Sequence, residues 1–348
     1  MELLQRLCAS HGIPGHEEAV RAVIREEMGN YTDEITTDAL GNIVCFRAGK
    51  GPGPRRKVML SGHLDEIGFI VNCVEKEGWV RFLPVGGWDI RNLNAQRVLI
   101  HTRSGDTIGG VVGSKPIHLL TASEKNRKLD FPDLFIDTGL SKEKAVEMIR
   151  EGDWVTMDRE FVALGDCYVS KAFDDRVGAY VVFEAMKRVG EHAVDLYSVG
   201  TVQEEVGLRG ALVSAFGIQP DLAVAVDITP ACDTPGSSRH ERNTALGEGV
   251  AIKLMDSSLI CSPKLVDFFI DLAEKHGINH QLEILRRGGT DAGAMQRVHA
   301  GCPAITISIP TRYGHSPVEM VHKNDVQAAV ELVSRFITTA HEGDFMPR

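Results

Sequence analysis

Residues 57–66 read KVMLSGHLDE, a short apolar run that closes with polar side chains. The apolar part predicts a buried strand, since continuous runs of this length are typical of strands covered on both faces. His63 and Asp65 stand two apart at its end, so in an extended chain their side chains point the same way. An imidazole there could bind a metal ion while the nearby carboxylate supports the site. A histidine beside an ordinary ion pair is the alternative, and these two residues alone do not decide between them.

Three later segments repeat this arrangement of an apolar strand followed by acidic or histidine residues. They are LYSVGT (196–201) before Glu204 and Glu205, LAVAV (222–226) before Asp227, and AITISI (304–309) before His315. Segments with a helical pattern lie around them, at residues 176–189, 211–216, 263–276 and 325–340. Such alternation predicts an α/β fold in which a mostly parallel sheet is flanked by helices.

The pattern of apolar residues and glycines in the sequence changes between residues 69 and 162. Short β-like runs punctuated by glycine fill this segment, and only residues 142–150 have a helical pattern. We therefore predict a discontinuous α/β domain of residues 1–68 and 163–348, interrupted by a small β-rich domain of residues 69–162. A chain of 348 residues is long enough to form two domains.

Composition and charge narrow the class of protein. The formal net charge of −10 weighs against nucleic acid as a partner, because phosphate binding needs a clustered basic surface. The seven cysteines are odd in number and include no CxxC pair, so a reducing compartment fits better than a disulfide framework. The first residues lack a signal pattern and no apolar stretch has the length of a membrane span. We expect a cytoplasmic protein with no membrane partner.

The candidate site residues stand at predicted strand ends. Binding sites in open α/β sheets form beyond the carboxyl ends of the strands. The pair Asp174-Asp175, just before a predicted helix, adds a carboxylate whose two oxygens could bridge two metal ions. The candidates are His63, Asp65, Asp174, Glu204, Glu205, Asp227 and His315.

Each candidate also has an ordinary structural explanation. Acidic residues such as the Glu204-Glu205 pair are favoured at helix N-termini by the helix dipole, and Asp174 or Asp227 could cap a helix or turn. A lone histidine in a loop, such as His315, is more often structural than a ligand. Taken together, however, two histidines and several carboxylates at one sheet edge are the ligand inventory of a two-metal hydrolase. Nitrogen and oxygen ligands suit Zn²⁺ best here, with Co²⁺ or Mn²⁺ as alternatives.

Six ordered motifs resemble those of the M42 metallopeptidases, the glutamyl and tetrahedral (TET) aminopeptidase group, which is related to the co-catalytic zinc exopeptidases. The resemblance covers essentially the whole chain. The motifs are SGHLDEIG (61–68), KAFDDRVG (171–178), TVQEEVGLRG (201–210), VDIT (226–229), GGTDAG (288–293) and TRYGHSPVEMV (311–321).

The resemblance implies a role for each candidate residue. One metal ion would be held by His63, Asp174 and Asp227, and the other by Asp174, Glu205 and His315, so that Asp174 bridges them. Glu204 matches the general base and Asp65 a supporting residue of the site. In the family the inserted β domain serves assembly, and residues 114–136 resemble its long loop at the subunit surface. A homo-oligomer is therefore implied, and TET members form hollow dodecamers.

The implied activity is a metal-dependent removal of the N-terminal residue from peptides. A related two-zinc deacylase or dipeptidase is the alternative function, and a non-enzymatic scaffold that kept the fold is a further one. A glycosidase is disfavoured, because its paired carboxylates would flank a sugar bond, whereas here metal ions account for them. The preferred N-terminal residue stays open: Arg286, Arg287 and Arg312 could form a pocket for acidic side chains, or lie at the surface or an interface.

Overall fold

The computed structural model describes residues 1–51, 53–238 and 240–346. The strands are β1 (Glu34–Thr37), β2 (Ile43–Arg47), β3 (Lys57–His63), β4 (Gly68–Val74), β5 (Val80–Val85), β6 (Arg97–His101), β7 (Thr107–Ser114), β8 (Leu134–Asp137), β9 (Trp154–Met157), β10 (Val162–Leu164), β11 (Cys167–Ser170), β12 (Asp195–Thr201), β13 (Leu222–Pro230), β14 (Val250–Met255), β15 (His280–Ile284), β16 (Ala304–Arg312) and β17 (Glu319–His322). The helices are α1 (Glu2–Ala9), α2 (Glu18–Met28), α3 (Ala122–Asn126), α4 (Lys142–Met148), α5 (Phe173–Arg188), α6 (Arg209–Ile218), α7 (Pro263–His276), α8 (Asp291–Met295) and α9 (Lys323–Thr339).

The main sheet is mixed, with its parallel part at the centre. Its strands follow the order β1-β2-β12-β3-β13-β16-β17-β11-β10, and β14 and β15 branch from β16. Strands β12, β3, β13 and β16 run parallel to one another, whereas β1, β2, β17, β11 and β10 extend the sheet by antiparallel pairing. The predicted α/β class is therefore confirmed. The sheet is mixed and less parallel than predicted, because parallel pairing is limited to the central strands β12, β3, β13 and β16 and to the pair β14–β15.

Strand register brings the candidate residues to one edge of the sheet. Thr201 at the end of β12 is level with His63 at the end of β3. Asp227, inside β13, is level with Ser308 of β16. Because parallel strands end at the same edge, the loops after β12, β3 and β16 all open on that side.

Helix α5 packs directly on strands β3 and β13 and covers one face of the central sheet. Two glycines make this close approach possible. A Cβ at Gly62 would lie 2.4 Å from the backbone nitrogen of Ala179, and a Cβ at Gly178 would lie 2.4 Å from the carbonyl oxygen of Val226. The contact carries Asp174 and Asp175, at the start of α5, to the edge where β3 and β13 present their polar residues.

The inserted segment forms a closed β-barrel, here called the barrel, whose strands β4–β9 span Gly68–Met157. Its interior is a separate apolar cluster that includes Phe69, Phe82, Val98 and Val155. Val162, within the segment predicted as β-rich, begins β10 of the main sheet. In addition to α4, which corresponds to the predicted helix at 142–150, the barrel carries the short helix α3 between β7 and β8.

Several short strands were not predicted, most of them because they are very short or their apolar character is weak, whereas β14 (VAIKLM) is an apolar run that was overlooked. They are β1, β10, β11, β14, β15 and β17. Strand β13 also continues to Pro230, beyond the predicted end at residue 226, so Asp227 lies within the strand and not after it. In the part of the chain that the structure describes, no helix combines the length and the apolarity that crossing a membrane requires.

Candidate metal centre

The structure brings six of the predicted residues together at the carboxyl edge of the central strands. His63 ends β3, Asp174 begins α5, Glu204 and Glu205 follow β12, Asp227 lies in β13, and His315 follows β16. We call these six residues the ligand cluster, because each carries a side chain of a type that can bind a metal ion. Their side chains come from five separated parts of the chain, so only the folded sheet and the helix packed on it assemble them.

Asp174 lies between the two histidines. Its Oδ1 is 3.0 Å from Nε2 of His63, and its Oδ2 is 3.2 Å from Nε2 of His315. One carboxylate thus presents a different oxygen to each imidazole, which is the geometry a bridging ligand of two metal ions needs. The His63 side chain is 2% exposed, whereas that of His315 is 45% exposed.

The remaining carboxylates complete two overlapping groups around His63. Its ligand atom lies within 4.8 Å of those of Asp174 and Glu205 in one group, and of those of Glu204 and Asp227 in the other. The Glu204 Oε2 atom is 3.8 Å from His63 Nε2. Glu205 also faces the second histidine, with its Oε1 atom 3.7 Å from His315 Nε2.

Asp65 supports the ligand cluster through the backbone. The Nδ1–H group of His63 donates to the main-chain carbonyl of Asp65 at 3.0 Å, while the nearer carboxylate oxygen is 3.7 Å away. That carboxylate instead accepts the backbone N–H groups of Glu204 (3.0 Å) and Glu205 (3.1 Å). Asp65 is fully buried, so these charge-assisted hydrogen bonds hold the loop after β12 without competition from water.

Two further buried carboxylates, which sequence analysis did not select, act in the same way. Glu319 accepts the backbone N–H of Asp174 at 2.8 Å and that of His315 at 3.0 Å, one with each oxygen. Asp175 accepts the backbone N–H of His63 at 3.0 Å. Their positions in the sequence could have indicated both residues. Asp175 adjoins the candidate Asp174, and Glu319 follows the candidate His315 by four residues in the motif TRYGHSPVEMV.

Several site residues have backbone conformations that side-chain-bearing residues rarely adopt. His315 has φ 58°, Tyr313 has φ 63°, Gln203 has φ 55° and Ala172 has φ 59°. Left-handed conformations cost free energy outside glycine and persist where the surroundings enforce them. Here they turn the chain sharply beside Asp174, Glu204 and His315, so that these side chains face the centre of the cluster.

Burial and mutual repulsion perturb the carboxylates of the ligand cluster. Burial is the main cause that raises the pKa of Glu205 and of Asp227, each to about 8, and the charge of Asp174 raises both further. Burial also holds the pKa of Glu204 well above its usual range. Burial disfavours the His315 cation, but its contact with Asp174 outweighs this and raises the pKa of His315 to about 11. A bound cation would favour the ionised forms of these crowded carboxylates.

The residues present fit a divalent metal centre. The Glu205 Oε1 atom is buried and has no hydrogen-bond partner within the described parts of the chain. A buried carboxylate oxygen without a donor is unfavourable unless a cation satisfies it. Imidazole nitrogens and carboxylate oxygens are also the ligands that Zn²⁺, Co²⁺ and Mn²⁺ accept.

The arginines considered for substrate selectivity lie in different settings. Arg312 is engaged with Asp233 in a two-pronged ion pair, with N–O distances of 2.6 Å and 2.6 Å. Arg286 and Arg287 are exposed and line a surface cavity of about 950 Å³ together with Arg242. Because the Arg312 guanidinium already has a carboxylate partner, it is a poor candidate for binding an acidic substrate side chain.

Comparisons with known proteins identify a family of peptidases. The family model for the M42 glutamyl aminopeptidases matches residues 41–332. The lysyl aminopeptidase of Pyrococcus furiosus is 35% identical, covering 99% of each chain. The glutamyl aminopeptidase of Lactococcus lactis is 33% identical, covering 97% of each chain.

Two solved structures of related peptidases superpose on nearly the whole chain. An aminopeptidase from the archaeon Desulfurococcus kamchatkensis superposes with a TM-score of 0.93 at 40% identity, covering 99% of this chain and 98% of the other. The TET1 peptidase of Pyrococcus horikoshii, described as assembling into a tetrahedron or a large octahedral shell, superposes with a TM-score of 0.85 at 33% identity, covering 97% and 98%.

Proposed function

The chain belongs to the M42 glutamyl aminopeptidase family and is an aminopeptidase, a hydrolase, and from this premise we propose that it works with two divalent metal ions bound by five residues of the ligand cluster. One ion would be held by His63, Asp174 and Asp227, and the other by Asp174, Glu205 and His315. The observation that carries this proposal is the placement of Asp174, which turns one oxygen to each histidine. The unpartnered Glu205 oxygen supports it independently. Zn²⁺ is the proposed ion, with Co²⁺ or Mn²⁺ as alternatives.

We propose Glu204 as the general base. Bound metal ions would lower the pKa of a water molecule and polarise the peptide carbonyl. Within the ligand cluster, Glu204 Oε2 lies 3.8 Å from His63 Nε2, in a side chain that is only 11% exposed. From there Glu204 takes a proton from the attacking water and returns it to the leaving amine. Asp65 contributes by holding the backbone of Glu204 in place.

The adjacent glutamates provide a matched test of these roles. Glu204→Gln keeps the side-chain shape but removes the base, so we expect kcat to fall by at least about a hundredfold while two metal ions stay bound. Glu205→Gln removes a charged ligand, so we expect it to lower metal affinity as well as activity. Metal content by elemental analysis, measured beside the kinetics, separates the two effects. Near-normal turnover by Glu204→Gln would show that another group is the base.

The proposed substrates are peptides with a free N-terminus. Relatives named for lysyl and for glutamyl activity are about equally similar to this chain, so the preferred N-terminal residue is best found by experiment. A panel of aminoacyl-anilides, run with chelator and after restoring metal, should show metal-dependent cleavage and its side-chain preference. Faster hydrolysis of N-acyl amino acids or of dipeptides would instead favour the related deacylase or dipeptidase function.

We propose that the barrel also serves assembly into a homo-oligomer, as a tetrahedral dodecamer or a related shell. The segment that joins β7 to β8 exposes two large apolar side chains, Ile117 (64%) and Leu119 (66%). Adjacent apolar side chains at a surface are typical of protein contacts. The TET1 peptidase of Pyrococcus horikoshii, which assembles into such shells, supports the proposal by its similarity. The cysteine composition favours a reducing, cytoplasmic location.

A further inference from the structure

The barrel reaches into the metal centre at one point. The loop after β5 places the main-chain carbonyl of Gly87 2.8 Å from Nδ1 of His315. The two residues are 228 positions apart, one in the barrel and the other at the end of a central strand. Nothing in the assembly role of the barrel requires such a contact.

We propose that Gly87 is a positioning residue of the active site, through which the barrel orients His315 for metal binding. This inference rests on the proposed function, in which His315 is a metal ligand. A carbonyl oxygen can only accept, so the contact places the proton of the imidazole on Nδ1. Nε2 is then the nitrogen left for a metal ion, which would take the place of any proton there, and it faces Asp174 and Glu205 at 3.2 Å and 3.7 Å.

The two histidines of the cluster differ in how they are held. His63 donates to the carbonyl of Asp65, two residues away in its own loop, and its side chain is 2% exposed. His315 is 45% exposed and depends on a carbonyl from the other domain. A half-exposed ring has few packing neighbours to fix its orientation, so its hydrogen bond to Gly87 matters more.

The barrel loop is itself anchored. The indole N–H of Trp88 donates to the Gly68 carbonyl at 3.0 Å, and the Trp88 ring stacks on Phe69 at 4.6 Å between centroids. A Cβ added at Gly86 would lie 2.5 Å from Ile67 and 3.3 Å from the Glu205 carboxylate. The loop is therefore fixed to the first barrel strand on one side and covers Glu205 and His315 on the other.

Gly87→Ala is a local test of this contact. The added Cβ would lie 3.0 Å from His315 Nδ1, closer than side chains normally pack, so the ring or the loop must move. Gly109→Ala is the matched control, because a Cβ there meets no atom of the described residues within 4 Å and the residue lies in the same barrel. Zinc titration calorimetry of the metal-free enzyme reads out each binding step.

We expect Gly87→Ala to weaken one of the two zinc-binding steps by about tenfold and to leave the other unchanged, while Gly109→Ala binds like the wild type. Trp88→Phe, which keeps the stacking on Phe69 but loses the hydrogen bond to Gly68, should shift the same step in the same direction. Trp88→Phe also tests the positioning role of the barrel loop if Gly87→Ala fails to fold. Two unchanged steps in both variants, or equal weakening of both steps, would overturn the inference.

His315→Ala separates this inference from the proposal beneath it. If His315→Ala loses one binding step while Gly87→Ala and Trp88→Phe keep both, His315 is a ligand and only the role of the barrel is wrong. If His315→Ala itself keeps both steps at wild-type affinity, the proposed ligand set is wrong and the inference falls with it.

Discussion

At the scale of single residues, the most informative feature is how buried carboxylates hold the backbone of the ligand cluster. Asp65, Asp175 and Glu319 each accept backbone N–H groups from residues that carry cluster side chains. A metal centre needs its ligands held in place, and charge-assisted hydrogen bonds to the backbone do this without occupying a ligand position. Glu319 is the clearest example, since one of its carboxylate oxygens accepts the backbone N–H of Asp174 and the other accepts that of His315.

Replacing Glu319 with Gln should loosen this connection. Glutamine has one acceptor oxygen, so one of the two N–H groups, of Asp174 or of His315, would face an amide NH₂ instead. A buried donor left unsatisfied costs about 1–3 kcal/mol. We expect lower thermal stability and about tenfold weaker metal binding, measured by calorimetry.

Glu342→Gln is the control for this change, because Glu342 is exposed and its carboxylate lies 3.9 Å from the His341 ring. The same chemical substitution should leave stability and metal affinity near the wild-type values there. Wild-type metal binding in Glu319→Gln would mean that Glu319 does not position the ligands.

At the scale of secondary-structure elements, the close packing of α5 on the sheet determines where Asp174 and Asp175 lie. Gly178, one turn into α5, leaves the space that this packing needs. A side chain there would meet the Asp175 carboxylate at 2.3 Å and the Val226 carbonyl at 2.4 Å. Neither neighbour can move without displacing a central strand or breaking the hydrogen bond that the Asp175 carboxylate accepts from the His63 backbone N–H.

Gly178→Ala should therefore destabilise the protein by about 1–3 kcal/mol, the usual cost of overpacking a core, and should lower activity by displacing Asp174. Gly217→Ala, near the end of α6, is the matched control, since a Cβ there meets nothing within 4 Å in the part of the chain that the structure describes. Alanine in place of glycine in a helix stabilises by roughly 0.5–1 kcal/mol. Urea unfolding of both variants gives the comparison, and a Gly178→Ala protein as stable as the wild type would refute the packing argument.

At the scale of the whole molecule, the contact between the α/β domain and the barrel includes two half-buried histidines. His11 precedes α2 and His101 ends β6, and both ring systems meet the Thr156 hydroxyl, at 2.8 Å and 2.9 Å. Burial is the main cause that lowers the pKa of each to about 4, with the Lys171 charge next for His11 and the His11 charge next for His101. Both are therefore neutral in the folded protein at neutral pH.

This predicts a loss of stability in mild acid. Between pH 6.5 and pH 4 the unfolded chain binds protons that the folded His11 and His101 do not, so the free energy of unfolding falls as the pH falls. Each unit of pKa difference corresponds to about 1.4 kcal/mol. His101→Phe keeps an aromatic ring against Trp154 but cannot bind a proton, so its unfolding free energy should depend less on pH in this window.

Urea unfolding of metal-free wild type and His101→Phe, compared at each pH, isolates this contribution. The loss of the hydrogen bond to Thr156 should add a constant offset, whereas the loss of a titrating group should change the slope. Equal slopes would contradict the assignment.

Assembly is also a property of the whole molecule. Replacing Ile117 and Leu119 with Asp puts charge at the proposed contact, so the particle mass from light scattering should fall to that of smaller species. Val146→Asp, a similarly exposed position (54%) on α4, serves as the comparison and should keep the full mass. An unchanged mass in the double variant would place the contacts elsewhere.

Periodicity and chain order alone were sufficient to predict the α/β class, because strand and helix patterns are local. They also placed His63 at the end of a strand, and Glu204, Glu205 and His315 after the ends of others, and the structure shows these strands to be parallel within one sheet. Contacts between distant segments decide which strands pair. They also extend β13, so that Asp227 lies within this strand and not after it.

The sequence by itself determined which kinds of side chain meet at the sheet edge, and the tertiary structure decided which atoms meet. Spacing suggested that Asp65 stands near His63, but only the fold shows that its carbonyl contacts the ring while its carboxylate holds Glu204 and Glu205. The Gly87 carbonyl had no sequence signal, since every residue has a carbonyl and this one is 228 positions from His315. The chemistry of a side chain follows from its own residue type, whereas a backbone hydrogen bond between domains exists only once the chain has folded.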